Sequence, residues 1–311
     1  MPKGLSVHIG LNHVDANAYD GWDGALAGCI NDAHDLAALA AAEGFRASTL
    51  VERQATAPAV LSAIRTAAGR LSAGDIFLLT YSGHGSQLVD SATDVAEPNG
   101  FDETWVCWDR QLLDDEVYVA LAGFARDVRI VVISDSCHAG TVTRHAMAPS
   151  PPVRTPEGAR RARMMPAAVA MGDAYRRRTT YARARSNSRA ELRRAMARLH
   201  TLTRRQLELR RATNCLGARV VLLSGCQDNE VSYDGPGNGV FTAALLAVWS
   251  QGRYDGTYRE FLSTIRARLA CQTPNYTAVG LGDPAWEATR PFTVDVGPDL
   301  QLVDETTLPA E

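Results

Sequence analysis

Residues 129–140 read RIVVISDSCHAG, and they decide the fold of this chain. A strand-like apolar run leads into a cluster of small polar side chains that contains Cys137. Residues 75–85, DIFLLTYSGHG, repeat the pattern, with His84 beyond the run. Continuous apolar runs are typical of buried parallel strands, and in open α/β sheets the chemistry collects beyond their carboxyl ends. We therefore expect two strands to bring an imidazole beside a thiol, a pairing that makes a cysteine nucleophile.

Strand-like and helix-like segments alternate on both sides of these two runs. Further strands are predicted at residues 6–11, 45–51, 104–108 and 218–223. Helices are predicted at residues 33–43, 58–71, 114–125, 239–249 and 257–271. This alternation predicts an α/β fold, a three-layer α/β/α sandwich around a mainly parallel six-stranded sheet.

The composition narrows the class of protein. The 311 residues are 46% hydrophobic, which is enough for one large α/β domain or two small ones. No apolar run reaches the roughly 18 residues that span a bilayer, and the first residues do not resemble a signal peptide. The six cysteines are scattered without a CxxC pair. We expect reduced thiols, no zinc site, no membrane partner and a cytoplasmic location.

The charge is unevenly distributed along the chain. Residues 141–212 hold 18 arginines and four acidic residues, whereas the net charge of the whole chain is −3. Residues 145–185 show little periodicity, so we predict a mobile loop there. Residues 188–191, SRAE, form a capping-box pattern ahead of one amphipathic helix. We therefore divide the chain into residues 1–144, an Arg-rich linker at 145–213, and residues 214–311, which complete the same sheet.

Four short motifs resemble those of metacaspases, a branch of the caspase-like cysteine proteases. The motifs are YSGHG at 81–85, DSCHAG at 135–140, GCINDA at 28–33 and SGCQDNE at 224–230. The histidine precedes the cysteine by 53 residues, close to the spacing of about 50 in caspases, although the caspase pentapeptide is absent. The resemblance covers roughly residues 5–144 and 216–292 and points to a prokaryotic-type metacaspase. It implies a caspase-like fold whose large and small subunit-like halves flank the linker.

The resemblance also implies a mechanism. Cys137 would attack the scissile carbonyl, and His84 would act as base and then protonate the leaving amine. The backbone N–H groups of Gly85 and Cys137 would hold the oxyanion. No cofactor is required for this chemistry. Considered singly, a cysteine after a strand is usually a core residue and a histidine in a glycine turn is usually a turn residue. His138 points away from its neighbour and is assigned a structural role.

Metacaspases cleave after Arg or Lys, so the expected partners are protein substrates with a basic residue at the P1 position. The family's S1 pocket corresponds here to Asp32, Ser82 and Asp135. A guanidinium entering such a pocket needs carboxylates for charge-assisted hydrogen bonds. The simpler interpretation is that Asp32 caps the following helix and Asp135 closes a turn. A related peptidase with another P1 preference is the weaker alternative.

A calcium site is the one metal site that the resemblance suggests. Carboxylates and carbonyls bind such hard cations, and the candidates are Asp102, Asp114 and Asp115, with Glu103 nearby. The family normally has a further acidic residue seven positions after the cysteine, and here that residue is Arg144. Asp114 and Asp115 also suit a helix N-terminus. We therefore expect activity to persist in excess chelator.

The arginine-rich linker has three interpretations. An Arg-specific enzyme would cut itself there, like caspase-like proteases that are processed between their halves. The candidate sites are Arg144, Arg154, Arg160, Arg161, Arg163, Arg176, Arg177 and Arg178. The linker could instead lie in the acidic cleft as a pseudosubstrate until it is removed, or bind a polyanion such as nucleic acid. An activating protein or an upstream protease is a further expected partner, whereas nucleic acid is not.

Together these observations predict a cysteine endopeptidase that acts through an acyl-enzyme and is autoprocessed in the linker. The alternative is a catalytically silent caspase-like scaffold whose basic insertion binds a partner protein or nucleic acid. The presence of both His84 and Cys137 argues against that alternative.

Overall fold

The computed structural model describes residues 2–89, 101–137, 153–155, 158–166, 169–170, 216–227, 230–280 and 283–295. The strands are β1 Gly4–Gly10, β2 Phe45–Val51, β3 Ile76–Ser82, β4 Gly85–Val89, β5 Phe101–Val106, β6 Gln111–Leu113, β7 Arg129–Asp135, β8 Val153–Thr155, β9 Gly158–Arg160, β10 Arg219–Ser224 and β11 Asn275–Gly280. The α-helices are α1 Cys29–Ala42, α2 Ala57–Ala68, α3 Asp114–Leu121, α4 Val240–Trp249, α5 Tyr258–Arg266 and α6 Pro284–Glu287.

Six strands form the central sheet in the order β11-β10-β7-β3-β1-β2. Strands β2, β1, β3, β7 and β10 are parallel to their neighbours, and β11 pairs antiparallel with β10 at one edge. The predicted mainly parallel six-stranded sheet is therefore confirmed. Strands β3 and β7 lie side by side at its centre, and every residue of both strands is buried.

Helices cover both faces of the sheet and make the three layers. Alternate residues of each central strand point to opposite faces: Phe77 and Leu79 belong to one core cluster, and Ile76 and Leu78 belong to the other. Apolar residues of α2 and α3 fill the first cluster, and those of α1, α4 and α5 fill the second. The doubly covered sheet explains why the middle of each strand, residues 76–79 of β3 and 130–133 of β7, is apolar without interruption.

Local sequence signals set several helix ends. The Thr257 hydroxyl accepts a hydrogen bond from the Glu260 amide at 3.3 Å, and the Glu260 carboxylate accepts from the Thr257 amide at 2.9 Å. This reciprocal pair is a capping box, and it satisfies amide groups that the first turn of α5 leaves free. The Thr56 hydroxyl caps α2 by accepting from the Ala59 amide at 3.3 Å. Helix α5 ends at Arg266, short of the predicted 271.

A second sheet departs from the sequence prediction. Strands β4, β5 and β6 form a three-stranded antiparallel sheet beside the main one. The sequence predicted a single short strand at 104–108, whereas β5 spans Phe101–Val106, and β4 begins directly after His84. These strands are short and mix polar with apolar residues, so their apolar patterns are weak. Strand β11 was not predicted either.

Part of the segment that we predicted to be a mobile loop is built into the fold. Residues 158–166 are described, and the Arg163 side chain in their midst is fully buried. The predicted helix after residue 188 lies outside the described residues. The described cysteines, namely Cys29, Cys107, Cys137, Cys226 and Cys271, are all free thiols. Within the described part of the chain, each helix is too short or too polar to cross a membrane.

Candidate active site

The register of the two central strands brings His84 and Cys137 to one end of the sheet. Ser82 on β3 pairs with Asp135 on β7. His84 and Cys137 each follow two residues after these paired positions, so both leave the sheet at the same edge. His84 is 6% exposed and Cys137 is fully buried. The structure therefore brings the two motifs together, as the parallel arrangement requires.

The hydrogen bond of the His84 ring fixes its tautomer. Nε2 lies 3.0 Å from the Gly24 carbonyl oxygen, and because a carbonyl can only accept, Nε2 carries the proton. Nδ1 is buried and has no hydrogen-bond partner among the described residues. Burial lowers the pKa of His84 to about 4, against the opposing effect of the Gly24 carbonyl. The imidazole is therefore neutral near pH 7, with an unused lone pair on Nδ1.

The Cys137 thiol is bonded to main-chain groups of Ser232. The Ser232 amide donates to Sγ at 2.8 Å, and the thiol donates to the Ser232 carbonyl oxygen at 3.2 Å. Burial raises the pKa of Cys137 well above its usual value, and the neighbouring Cys226 thiol adds to this effect. The hydrogen bonds of the described residues do not join the thiol to His84. Burial therefore favours the protonated thiol, although the bond from the Ser232 amide opposes that shift in pKa.

Residues 161–165 of the linker run through the site as a segment whose main chain pairs with neighbours on both sides. The Asp234 amide donates to the Arg161 carbonyl oxygen at 2.8 Å, and the Arg163 amide donates to the Ser232 carbonyl oxygen at 2.9 Å. On the other side, the Met165 amide donates to the Gly85 carbonyl oxygen at 2.9 Å. Extended peptides bind many proteins through main-chain pairing of this type. Here the paired peptide belongs to the chain itself.

The carbonyl group of Arg163 points at two amide donors. Its oxygen accepts from the Gly85 amide at 2.9 Å and from the Cys137 amide at 3.3 Å. These are the two amides that the family resemblance assigned to the oxyanion. A Cβ on Gly85 would lie 1.8 Å from the Cys137 carbonyl oxygen, so this approach requires a glycine.

The side chain of Arg163 fills a buried pocket that contains Asp32, Ser82 and Asp135. Nη2 lies 2.7 Å from Asp32 Oδ2, and Nη1 lies 2.7 Å from Ser82 Oγ and 3.0 Å from Asp135 Oδ2. The guanidinium is fully buried. The residues that sequence reasoning grouped as a pocket therefore surround one guanidinium, and that guanidinium comes from the linker.

Neighbouring backbone orients the pocket carboxylates. Asp32 accepts from the Gly239 amide at 2.9 Å, and Asp135 accepts from the amide and hydroxyl of Thr242 at 3.1 and 2.8 Å. Burial raises the pKa of Asp32, and the positive charge of Arg163 opposes that shift. A Cβ on Gly239 would lie 2.4 Å from Asp135 Oδ2 and 2.5 Å from the guanidinium carbon, so the pocket has no room for a larger residue there.

Sequence reasoning missed three residues that complete the site. Ser232 bonds to the thiol, Gly24 orients His84, and Asp234 lies 3.0 Å from Arg163 Nη2. Ser232 and Asp234 follow closely after the SGCQDNE motif, for which no catalytic or binding role is predicted above. Gly24 could not be identified from the sequence, because its main-chain carbonyl, and not a side chain, contacts His84.

Of the three calcium candidates, Asp114 and Asp115 have described side chains. Asp114 and Asp115 lie in the first turn of α3, where Asp114 accepts from the Asp115 amide at 2.9 Å. The Asp102 side chain and Arg144 lie outside the described residues. Within the described part, no group of three or more His, Cys, Asp or Glu side chains is arranged to hold a metal ion.

The remaining self-cleavage candidates lie apart from the pocket or outside the described residues. Arg161 is exposed, and its guanidinium donates to the Ala25 carbonyl oxygen at 2.9 Å. Arg154 and Arg160 belong to β8 and β9, but their side chains are not described. Arg176, Arg177 and Arg178 lie outside the described residues. His138, to which we assigned a structural role, lies outside them as well.

Comparison with known proteins agrees with this fold. A solved structure from Geobacter sulfurreducens is 40% identical, covers 94% of this chain and 99% of its own, and superimposes with a TM-score of 0.74. Metacaspase-1 of Mycosarcoma maydis is 29% identical over 298 residues, which is 86% of this chain and 67% of that protein. Metacaspase-8 of Arabidopsis thaliana is 28% identical over 142 residues, which is 42% of this chain and 36% of that protein. The match thus spans about two thirds of the first relative and about one third of the second.

The family model for the caspase domain, Peptidase_C14, matches residues 13–285. That range contains both central strands, the linker and the pocket carboxylates. The chain belongs to the caspase-domain family and is a metacaspase-like cysteine peptidase.

Proposed function

We propose that this protein is an endopeptidase that cleaves after Arg, and more slowly after Lys, and that its own first substrate is the Arg163–Met164 bond. One observation carries the proposal. The Arg163 carbonyl faces the Gly85 and Cys137 amides while the Arg163 guanidinium lies among carboxylates. A bound substrate needs both contacts at the same residue.

The chemistry follows from the positions of these groups. The Cys137 thiol gives its proton to Nδ1 of His84 as sulfur bonds to the Arg163 carbonyl carbon. The oxygen gains negative charge between the two amides. The C–N bond to Met164 then breaks, and His84 returns the proton to the leaving nitrogen. Water, deprotonated by His84, hydrolyses the acyl-enzyme and frees the thiol and a carboxylate at Arg163.

The same arrangement supports a zymogen state. Arg163 occupies the position that a foreign P1 residue would need, and the thiol is bonded to Ser232 instead of His84. The thiol must turn away from Ser232 before it attacks. Cleavage of the Arg163–Met164 bond would release one of the covalent restraints on the linker and let it leave the pocket for a protein substrate.

No cofactor takes part in these steps. His84 and the two amides supply the acid–base and electrostatic groups, so calcium is not assigned a catalytic role. The pseudosubstrate and self-cleavage interpretations of the linker become two stages of one process: Arg163 blocks the pocket first and is cut there afterwards.

A panel of fluorogenic peptides tests the proposal. Peptides that differ only in Arg, Lys or Asp at P1 are given to the processed enzyme and to Cys137→Ala. We expect turnover of the Arg peptide, weaker turnover of the Lys peptide, none of the Asp peptide, and none by the variant. Failure to cleave the Arg and Lys peptides would instead favour the catalytically silent scaffold. Cleavage after Asp alone would overturn the assigned pocket.

A further inference from the structure

Two side chains of the linker segment 161–165 are buried in the fold, and one of them is apolar. Arg163 is fully buried in the pocket described above, and Met165 is only 2% exposed. Their neighbours Ala162 and Met164 are half-buried. The segment therefore inserts a second side chain into the fold, on the other side of the bond that follows Arg163.

Gly85 holds the main chain on both sides of that bond. Its amide donates to the Arg163 carbonyl oxygen at 2.9 Å, and its carbonyl oxygen accepts from the Met165 amide at 2.9 Å. Met164 lies between these two contacts and forms a parallel bridge with Gly85. With Arg163 at P1, Met164 is at P1′ and Met165 is at P2′. One residue beside His84 thus fixes the position of the P2′ residue relative to the bond.

The Met165 side chain lies in an apolar environment that the rest of the fold supplies. Met165 belongs to the buried cluster that also contains Tyr81 and Trp105. The rings of Tyr81 and Trp105 stack with their centroids 4.6 Å apart, and Trp105 pairs with Gly85 across β4 and β5. Because β3 and β5 carry these rings, their positions do not depend on the linker. A flexible thioether side chain fills irregular apolar space of this kind well.

The pairing between linker and fold stops after Met165. The Pro166 carbonyl oxygen accepts from the Val169 and Ala170 amides at 2.9 and 3.1 Å, so the main chain there bonds within the linker. Among the described linker residues, Met165 is the last whose main chain pairs with a strand outside the linker. The substrate-like part of the segment therefore extends from P3 to P2′.

We propose that the apolar cluster beside Gly85 is a primed-side subsite, S2′, which takes a flexible apolar side chain such as Met or Leu at P2′ of a protein substrate. The proposal rests on the function assigned above, because cleavage after Arg163 defines the numbering. Full burial of a methionine side chain is typically worth about a 10-fold to 100-fold change in binding. Glutamine has nearly the same length, but its amide would lose its hydrogen bonds to water in this cluster.

Internally quenched peptides that span the cleaved bond test the subsite. They carry the linker sequence ARMMP, residues 162–166, which contains a single arginine. For the processed enzyme, we expect Gln in place of Met at P2′ to lower kcat/KM about 10-fold or more, mainly through KM, and Leu at P2′ to stay within about 3-fold of Met. The matched control is the same change from Met to Gln at P1′, where the linker side chain is half-buried. It should lower kcat/KM less than about 3-fold.

The outcomes separate this proposal from the proposed function. A fluorogenic Arg peptide that ends at P1 has no primed residues, so its turnover reports on cleavage after Arg alone. Turnover of that peptide with equal rates for Met and Gln at P2′, or with equal losses at P1′ and P2′, would overturn the S2′ subsite and leave the proposed function intact. Failure to cleave any Arg peptide would overturn both.

Self-cleavage of the full chain provides a second measurement. We expect the Arg163–Met164 bond to be cut about 10-fold or more slowly in Met165→Gln than in wild type, and within about 3-fold of wild type in Met165→Leu. Circular dichroism identifies a Met165→Gln chain that fails to fold, and the peptide series then decides, because it needs no variant of the protein. Equal self-cleavage rates in wild type and a folded Met165→Gln protein would overturn the proposal.

Discussion

Arg163 and Asp32 form an ion pair that is closed to solvent on both sides: Nη2 and Oδ2 are 2.7 Å apart, and both side chains are 0% exposed. Such a pair forms only if the surrounding groups meet the cost of removing two charges from water. Asp135, Asp234 and Ser82 do so here. The linker is thus held by the groups that we assign to substrate recognition.

Removal of Arg163 is expected to destabilise the uncleaved protein. In the Cys137→Ala background, Arg163→Gln leaves three buried carboxylates without their cation. The free energy of unfolding should fall by about 3–5 kcal/mol, as when one partner of a buried pair is lost. Denaturant unfolding measures this change. Arg161→Gln, at an exposed position of the same linker segment, should alter stability by less than about 0.5 kcal/mol. Similar losses for the two variants would contradict the account.

Alanine substitutions of Cys137 and His84 are expected to leave different residual activities. Cys137→Ala removes the nucleophile and should abolish turnover of an Arg peptide. His84→Ala removes the base and should reduce turnover about 100-fold to 10,000-fold. Initial rates of the processed enzymes check this, with Cys107→Ala as a control in which another buried thiol is lost. Undiminished turnover in His84→Ala would exclude it as the base.

The buried histidine should make stability depend on pH. The pKa of His84 is about 4 in the folded protein and about 6.5 in an unfolded chain, so between these values the unfolded state binds the proton more readily. Stability is therefore fully present above about pH 6.5 and is lost as the pH falls towards 4, by roughly 3 kcal/mol at most. His8, whose pKa burial lowers to about 3, acts in the same direction.

The free energy of unfolding of Cys137→Ala, measured at several pH values, gives the slope of stability against pH. The double variant Cys137→Ala with His84→Gln should lose stability less steeply between pH 6.5 and 4. An identical slope in the two proteins would show that His84 is not held neutral.

Calcium removal is expected to leave activity unchanged. The family resemblance implies an acidic residue seven positions after the cysteine, and this chain has Arg144 at that position; we expect its positive charge to disfavour calcium binding. Turnover of an Arg peptide in excess chelator should match turnover with added Ca²⁺. Loss of activity in chelator, restored by Ca²⁺ alone, would show that Asp102, Asp114 or other carboxylates bind the ion.

The central sheet could be predicted from the sequence because its strands are buried on both faces. Residues 130–133 and 76–79 are apolar without interruption, and parallel pairing then places His84 and Cys137 at one edge. The β4–β6 sheet could not be predicted in the same way. Its strands are short and carry polar residues such as Gln87 and Glu103, and this pattern also suits a loop.

The candidate site was only partly predictable for a different reason. Asp32, Ser82 and Asp135 lie within short motifs, whereas Ser232 and Asp234 act through pairing with a distant segment. Periodicity gives no sign that a linker arginine is buried, because arginine is almost never fully buried unless it is paired. The partners of Arg163 come from four separate parts of the chain.

Mass spectrometry of the purified full chain beside Cys137→Ala tests the central claim most directly. The wild-type protein should yield one fragment that ends at Arg163 and one that begins at Met164, and Cys137→Ala should remain uncut at that bond. Arg163→Gln should also stay intact at that bond. An added Arg peptide, if it is cleaved, shows that the uncut Arg163→Gln protein is still an active enzyme. Cleavage of the Arg163–Met164 bond in Cys137→Ala, or a wild type cut at other linker arginines but never after Arg163, would contradict the account.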